Sequence, residues 1–235
     1  MNLAQRVTGV LWRPRVTFEA VIASPRWVSL LVALTALSAL AVGPFYATKV
    51  GRLALVDQWE RSALAFGLPV DDAQYEALHH LSKSGPAYGV ALSLLSLGGA
   101  AIGAAGLAYV ALRPANSTAG VPATSFRQLL AVGTHSTVIL ALRNVVAAPI
   151  GYVRETTTSV TSVGRLFPSL SETSPAARAL GALDLVVVWW IVVLAIGLAI
   201  ALHRRARPLV MAGVGLYLAI VLMLVGAMAA LAGVA

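Results

Sequence analysis

Cysteine is absent from this 235-residue chain, which excludes disulfides, thiolate nucleophiles and Cys-ligated zinc or iron–sulfur centres and leaves the redox compartment undetermined. Charge is scarce as well. Only 11% of residues are Asp, Glu, Lys or Arg, whereas 59% are hydrophobic and mean hydropathy is +0.84, more apolar surface than a soluble core of this length can hide. The expected class is therefore an all-α, polytopic membrane bundle. Lysine occurs only at Lys49 and Lys83, against fifteen arginines, and Ala, Val and Leu dominate, the usage of a GC-rich, bacterial genome.

Catalytic machinery is also missing. The stretch Gly133 to Ser136 reads GTHS, not GxSxG, and its span offers no acid to orient a base. His79 and His80 are adjacent, so on a helix they point about 100° apart and cannot share a metal as an i, i+4 pair does. The glycines of residues 89–106 lie in an apolar run with no following lysine, so they form no phosphate loop. No catalytic residue, metal site or cofactor is expected, and an enzyme is disfavoured.

What is present is a set of long apolar runs. Leu180 to Leu202 is 23 residues long and is followed at once by His203, Arg204, Arg205, Ala206 and Arg207. At ~1.5 Å per residue it reaches across a ~30 Å hydrocarbon core, and the basic cluster stops it at the cytoplasmic headgroups. Further spans are expected at about 27–47, 87–112, 126–152 and 208–233, which makes five, with the N-terminus inside and the C-terminus outside. Charge agrees with that topology. The inner segments carry Arg6, Arg13, Arg15, Arg26, Arg113, Arg127, Arg204, Arg205 and Arg207 against Glu19 alone, whereas bases and acids balance in the outer segments. The net charge of +8 is thus a positive-inside signal, and no nucleic-acid partner is implied. The expected location is the bacterial cytoplasmic (inner) membrane.

Residues 1–26 read as a juxtamembrane amphipathic segment in two short pieces divided at Pro14, lying on the inner surface with Arg13 and Arg15 reaching phosphates. The first span, 27–47, exceeds the 7–15 apolar residues of a signal peptide and is expected to stay uncleaved. Between the first two spans, 48–85 reads as an outer helical hairpin. Val56, Trp59, Ala63 and Phe66 mark one helix. Asp71 with Gln74 forms a capping box for a second, whose face carries Tyr75, Leu78 and Leu81 and which Gly85 and Pro86 end. These faces need cover from the bilayer, the bundle or another protein. The linker Arg113 to Ser125 is read as a cytoplasmic loop, and Ser174 with Pro175 as a helix start.

Two features carry the functional candidates. In the second span Gly99 and Gly103 have GxxxG spacing, which serves packing within one chain or against another, as a homodimer or with a different membrane protein. In the third and fourth spans Arg143 and Asp184 are single charges at similar depth in the outer half of the membrane. They read as an ion pair that orients two helices, or as part of a polar relay with His135 and Asn144.

The preface RPRVTFEAVIASPRW, with Pro14, Thr17, Phe18 and Pro25, resembles the Pro-x-x-Thr-Phe opening of bacterial Yip1-domain proteins. LDLVVVWWIVVLAIGLA resembles their fourth-span motif, with Asp184, Trp189 and Gly197 in matching places, and the five-span layout fits. The chain departs from the family at Val186, where an aromatic is frequent, and lacks the long hydrophilic N-terminal region of the eukaryotic members that are linked to Rab-type GTPases. The resemblance implies a five-span fold and a membrane-organising role, without GTPase binding. Two functions follow: an accessory or scaffold protein packed with another membrane protein, or a small ion-coupled transporter using Asp184 and Arg143. No inverted repeat is evident, which favours the first.

Overall fold

The computed structural model describes residues 2–112, 124–167, 169 and 175–232. The linker residues 113–123, Glu172 and Ser174 lie outside these. All regular elements among the described residues are helical: α1 (Leu3–Trp12), α2 (Pro14–Ala23), α3 (Val28–Ala47), α4 (Lys49–Ala65), α5 (Asp72–Leu81), α6 (Gly85–Leu112), α7 (Phe126–Ser136), α8 (Val138–Val153), α9 (Pro175–Ala182), α10 (Leu185–Ala201) and α11 (Ala206–Ala232). Four helical stretches are long and apolar enough to cross a membrane: Val28–Ala47, Asp72–Ala111, Phe126–Val153 and Ala206–Leu231. They point to an integral membrane protein. The expected fourth span is shorter than the 23 residues of Leu180–Leu202, because α10 has 17 residues and so reaches only ~25 Å at ~1.5 Å per residue.

Local chemistry sets most boundaries. Asn2, Asp71 and Ser125 each cap a helix through a reciprocal capping box with Gln5, Gln74 and Gln128. Pro14 begins α2, where its missing N–H goes unused. Pro86 was expected to end the hairpin. It instead occupies the first turn of α6, where proline is tolerated, and a single 3₁₀ turn, Ser82–Ser84, joins α5 to α6. At the ends of α8 and α10, Glu155 and His203 take φ of 52°, and the next residue's N–H bonds back to Gly151 and Ala199 in the Schellman pattern.

The chain forms two compact units: Met1–Ser38, Leu92–Arg143 and Val186–Val214 in the first, and Ala39–Ala91, Asn144–Leu185 and Gly215–Ala235 in the second. The first has a continuous core in which Val10, Phe18 and Val21 of α1 and α2 meet Leu97 and Ala101 of α6, Leu129 and Val132 of α7, and Val193 and Leu198 of α10. The N-terminal segment was expected to lie on the membrane surface. Its apolar face is buried in this core, leaving Trp12 and Val16 exposed, and Gln128 of α7 donates to the Ile22 carbonyl. Phe18 fits because Gly197 has no side chain: a Cβ there would lie 3.0 Å from the Phe18 ring and 2.6 Å from Val132.

The second unit is centred on Phe45, Tyr46, Ala54, Leu55 and Ala148. Tyr88 meets Tyr46 and Trp59 edge-on, at ring-centroid distances of 6.1 and 5.6 Å. α4 buries Gly51, Ala54, Leu55 and Val56; of the expected stripe only Val56 is buried, while Trp59, Ala63 and Phe66 are half-buried. α5 buries no residue among those described: Tyr75 and Leu81 of its apolar face are exposed and Leu78 is half-buried.

Candidate functional site

Asp184 had been placed four residues inside a span. It lies instead in the break between α9 and α10, with its carboxylate bound to a loop in the second unit. Ser159 Oγ donates to Oδ2 at 2.6 Å and Thr161 Oγ1 to Oδ1 at 2.8 Å. The Asp184 N–H donates to Tyr217 Oη at 3.0 Å, and Tyr217 donates in turn to the Ala182 carbonyl. Around it, the Val163 N–H bonds to the Leu183 carbonyl, the Leu185 N–H to that of Thr161, and Ser162 Oγ to that of Gly181. Asp184 is 5% exposed. A buried carboxylate in this position ties residues 159–163 to the start of α10, and the competition of these bonds with the helix ladder explains why α9 and α10 are separate.

Arg143 and Asn144 are half-buried on α8. Eight residues earlier, the run Thr134 to Thr137 is fully buried and interrupts the third span. Ser136 Oγ donates to the Gly133 carbonyl and Thr137 Oγ1 to that of Thr134. These i−3 bonds offer the carbonyls an alternative to the helix, so α7 ends at Ser136 and α8 begins at Val138. Ser136 also accepts from Trp190 Nε1 at 3.0 Å, which fixes α10 against α7.

His135, expected as a hydrogen-bonded interior histidine, makes that bond with one nitrogen only. Its Nδ1 lies 2.7 Å from the Ala131 carbonyl, which assigns the proton to Nδ1, while the buried Nε2 has no partner among the described residues. The ring lines a cavity of about 230 Å³ together with Asn2, Leu3, Arg6, Arg26, Ser29 and Leu30. Arg6 is held there by a 3.0 Å bond from Nη2 to Ser24 Oγ. Nothing in the spacing of Arg6 and Arg26 singles them out from the other N-terminal bases; only the packing of α1 and the start of α3 against α7 brings them to His135.

Small residues on α6 divide into two faces. Ser93, Leu97, Ala101, Ala105 and Ala108 are buried, and Ala101 backs directly onto Gly133, where a Cβ would stand 2.6 Å from the Ala101 carbonyl oxygen. Gly99 and Gly103 lie on the other face. A Cβ at either position, or at Gly98 or Gly106, meets nothing within 4 Å, and Leu95, Ile102 and Val110 beside them are exposed. Among the described residues, then, no neighbour stands against either glycine of the GxxxG pair. Arg13, Arg15, Arg204, Arg205 and Arg207 are all exposed. Among the described residues no group of three His, Asp or Glu could hold a metal ion. Comparison with known protein families, curated proteins and solved structures returns no match.

Proposed function

We propose that the chain is an accessory or scaffold protein of the bacterial cytoplasmic membrane, of the Yip1-domain type, which packs with another integral membrane protein or a second copy through the outer face of α6. The observation that carries this reading is the division of α6 just described. Its internal packing is complete on the Ser93, Leu97, Ala101 and Ala105 face, while Gly99 and Gly103 present a shallow apolar groove of the kind that lets a second helix approach closely. The uncovered face of α5 adds a second apolar surface. The two motifs on which the family resemblance rests pack together, with Phe18 of the first in the notch at Gly197 of the second. In this reading α10 is the fourth of five spans, its short length accommodated by local thinning of the bilayer, and the basic ends of α1, α2 and α10 face the cytoplasm.

The test is gentle purification from native membranes at natural abundance, for the parent chain and for Gly99→Leu and Gly103→Leu. The parent is expected to carry a partner, or a second copy, in fixed stoichiometry. Because both sites open onto empty space, the variants should fold normally and lose that partner. A clean monomeric parent overturns the proposal, and so does a variant that keeps its full complement.

A further inference from the structure

We propose that the cavity at His135 is a binding site for a phosphate group that carries, or adjoins, a free hydroxyl. The wall has three chemical parts. Arg6 and Arg26 bring two guanidinium groups, and no acid among the described residues lines the cavity, so the site is electropositive and favours an anion. One of the five N–H donors of Arg6 is committed to Ser24, a bond that orients the fork without exhausting it. Asn2 and Ser29 add polar groups at the rim, and Leu3 and Leu30 are apolar.

His135 supplies the specificity. With Nδ1–H bound to the Ala131 carbonyl, Nε2 is a buried acceptor with no partner among the described residues, on a ring that lines the cavity. A fully buried acceptor without a partner costs about 1–3 kcal/mol, so a ligand that donates there recovers what folding leaves unsatisfied. A bare dianion offers no hydrogen; a phosphomonoester with a P–OH does, and so does a phosphodiester with a hydroxyl on its head, as in phosphatidylglycerol. At ~30 Å³ per water the cavity holds the volume of about eight waters, enough for a phosphate and a few further atoms but not for acyl chains. The shared chemistry is a phosphate with an O–H donor, from a lipid headgroup or from a soluble phosphomonoester.

The experiment uses the full chain in non-ionic detergent, with native mass spectrometry and thermal melting as readouts. The probes are phosphatidylglycerol, phosphatidylmethanol (the same charge without a hydroxyl), inorganic phosphate and glycerol phosphate. Phosphatidylglycerol is expected to be retained and to raise the melting point, with phosphatidylmethanol about tenfold weaker, the worth of one hydrogen bond. Arg26→Gln, at an exposed position that should not disturb folding, is expected to weaken binding about tenfold or more. His135→Leu should abolish the preference for the hydroxyl-bearing lipid. Where that variant does not fold, the two-lipid ratio and Arg26→Gln decide the matter. Displacement by glycerol phosphate assigns the site to a soluble ligand, and its failure, with phosphatidylglycerol retained, assigns it to the headgroup. The proposal is overturned if none of the probes binds, if both lipids bind alike, or if Arg26→Gln binds as the parent does.

Discussion

Replacing Gly133 by alanine should damage the fold, whereas the same change at Gly103 should not. In a helix interior, alanine is favoured over glycine by up to ~1 kcal/mol, and burying one methyl adds ~0.8 kcal/mol. At Gly133 both gains are opposed by contact. The new Cβ would stand 2.6 Å from the Ala101 carbonyl oxygen and 3.2 Å from its Cα, and because these are backbone atoms of α6 no side chain can rotate away. The two helices must separate, which loosens the fully buried Leu97, Ala101, Leu129 and Val132. Overpacking of this kind costs ~1–3 kcal/mol and reaches beyond that where backbone must move, so a net loss of ~1–2 kcal/mol is expected. Gly197→Ala should fall between, since the atoms it meets, in Val132 and Phe18, belong to side chains that can shift. Gly103→Ala meets nothing and should be neutral or stabilising by up to ~1 kcal/mol. The assay is reversible unfolding in mixed micelles, followed by helical circular dichroism as SDS is added. The order Gly133→Ala, Gly197→Ala, Gly103→Ala, from least to most stable, is the outcome required. If Gly103→Ala proves the most damaging, the assignment of inner and outer faces on α6 is wrong and the docking proposal falls with it.

Asp184→Ala should cost ~2–4 kcal/mol, because the Ser159 and Thr161 hydroxyls lose a charged acceptor in a buried setting, and limited proteolysis should then cut between Thr156 and Phe167. Asp184→Asn keeps one oxygen and should lose about half as much. A stable Asp184→Asn variant that has lost a transport activity would instead favour the carrier reading. The absence of cysteine makes topology directly measurable: of the single variants Arg154→Cys, just after α8, and Arg205→Cys, just after α10, only the first should react with an impermeant maleimide added to intact cells. Equal labelling would show that α10 does not cross the membrane.

The features legible in the sequence are those decided within a turn or two of chain. The Asp71–Gln74 box and the break between α1 and α2 at Pro14 depend on neighbours a few residues away, and they appear as read. The apolar runs likewise mark the long helices. What could not be read is decided by partners distant in sequence. Asp184 looks intramembrane in a run of Leu and Val, yet its ligands are Ser159 and Thr161, and the loop they form cuts the expected span to 17 residues. Alanine and glycine alternate along α6 with no hint of which small face the chain uses; the choice is made by Gly133, which lets Ala101 approach and so turns Gly99 and Gly103 outward. The polar residues of the third span divide by the same logic. The hydroxyls of Ser136 and Thr137 are satisfied by their own helix and act on its shape, and His135 satisfies one nitrogen there too. Its other nitrogen, an acceptor, has no partner among the described residues, on a ring that shares a cavity wall with Arg6 and Arg26. That wall joins residues more than a hundred positions apart, so no local pattern announces it, and His135 differs in this from Asp184, whose carboxylate the Ser159 and Thr161 hydroxyls already serve.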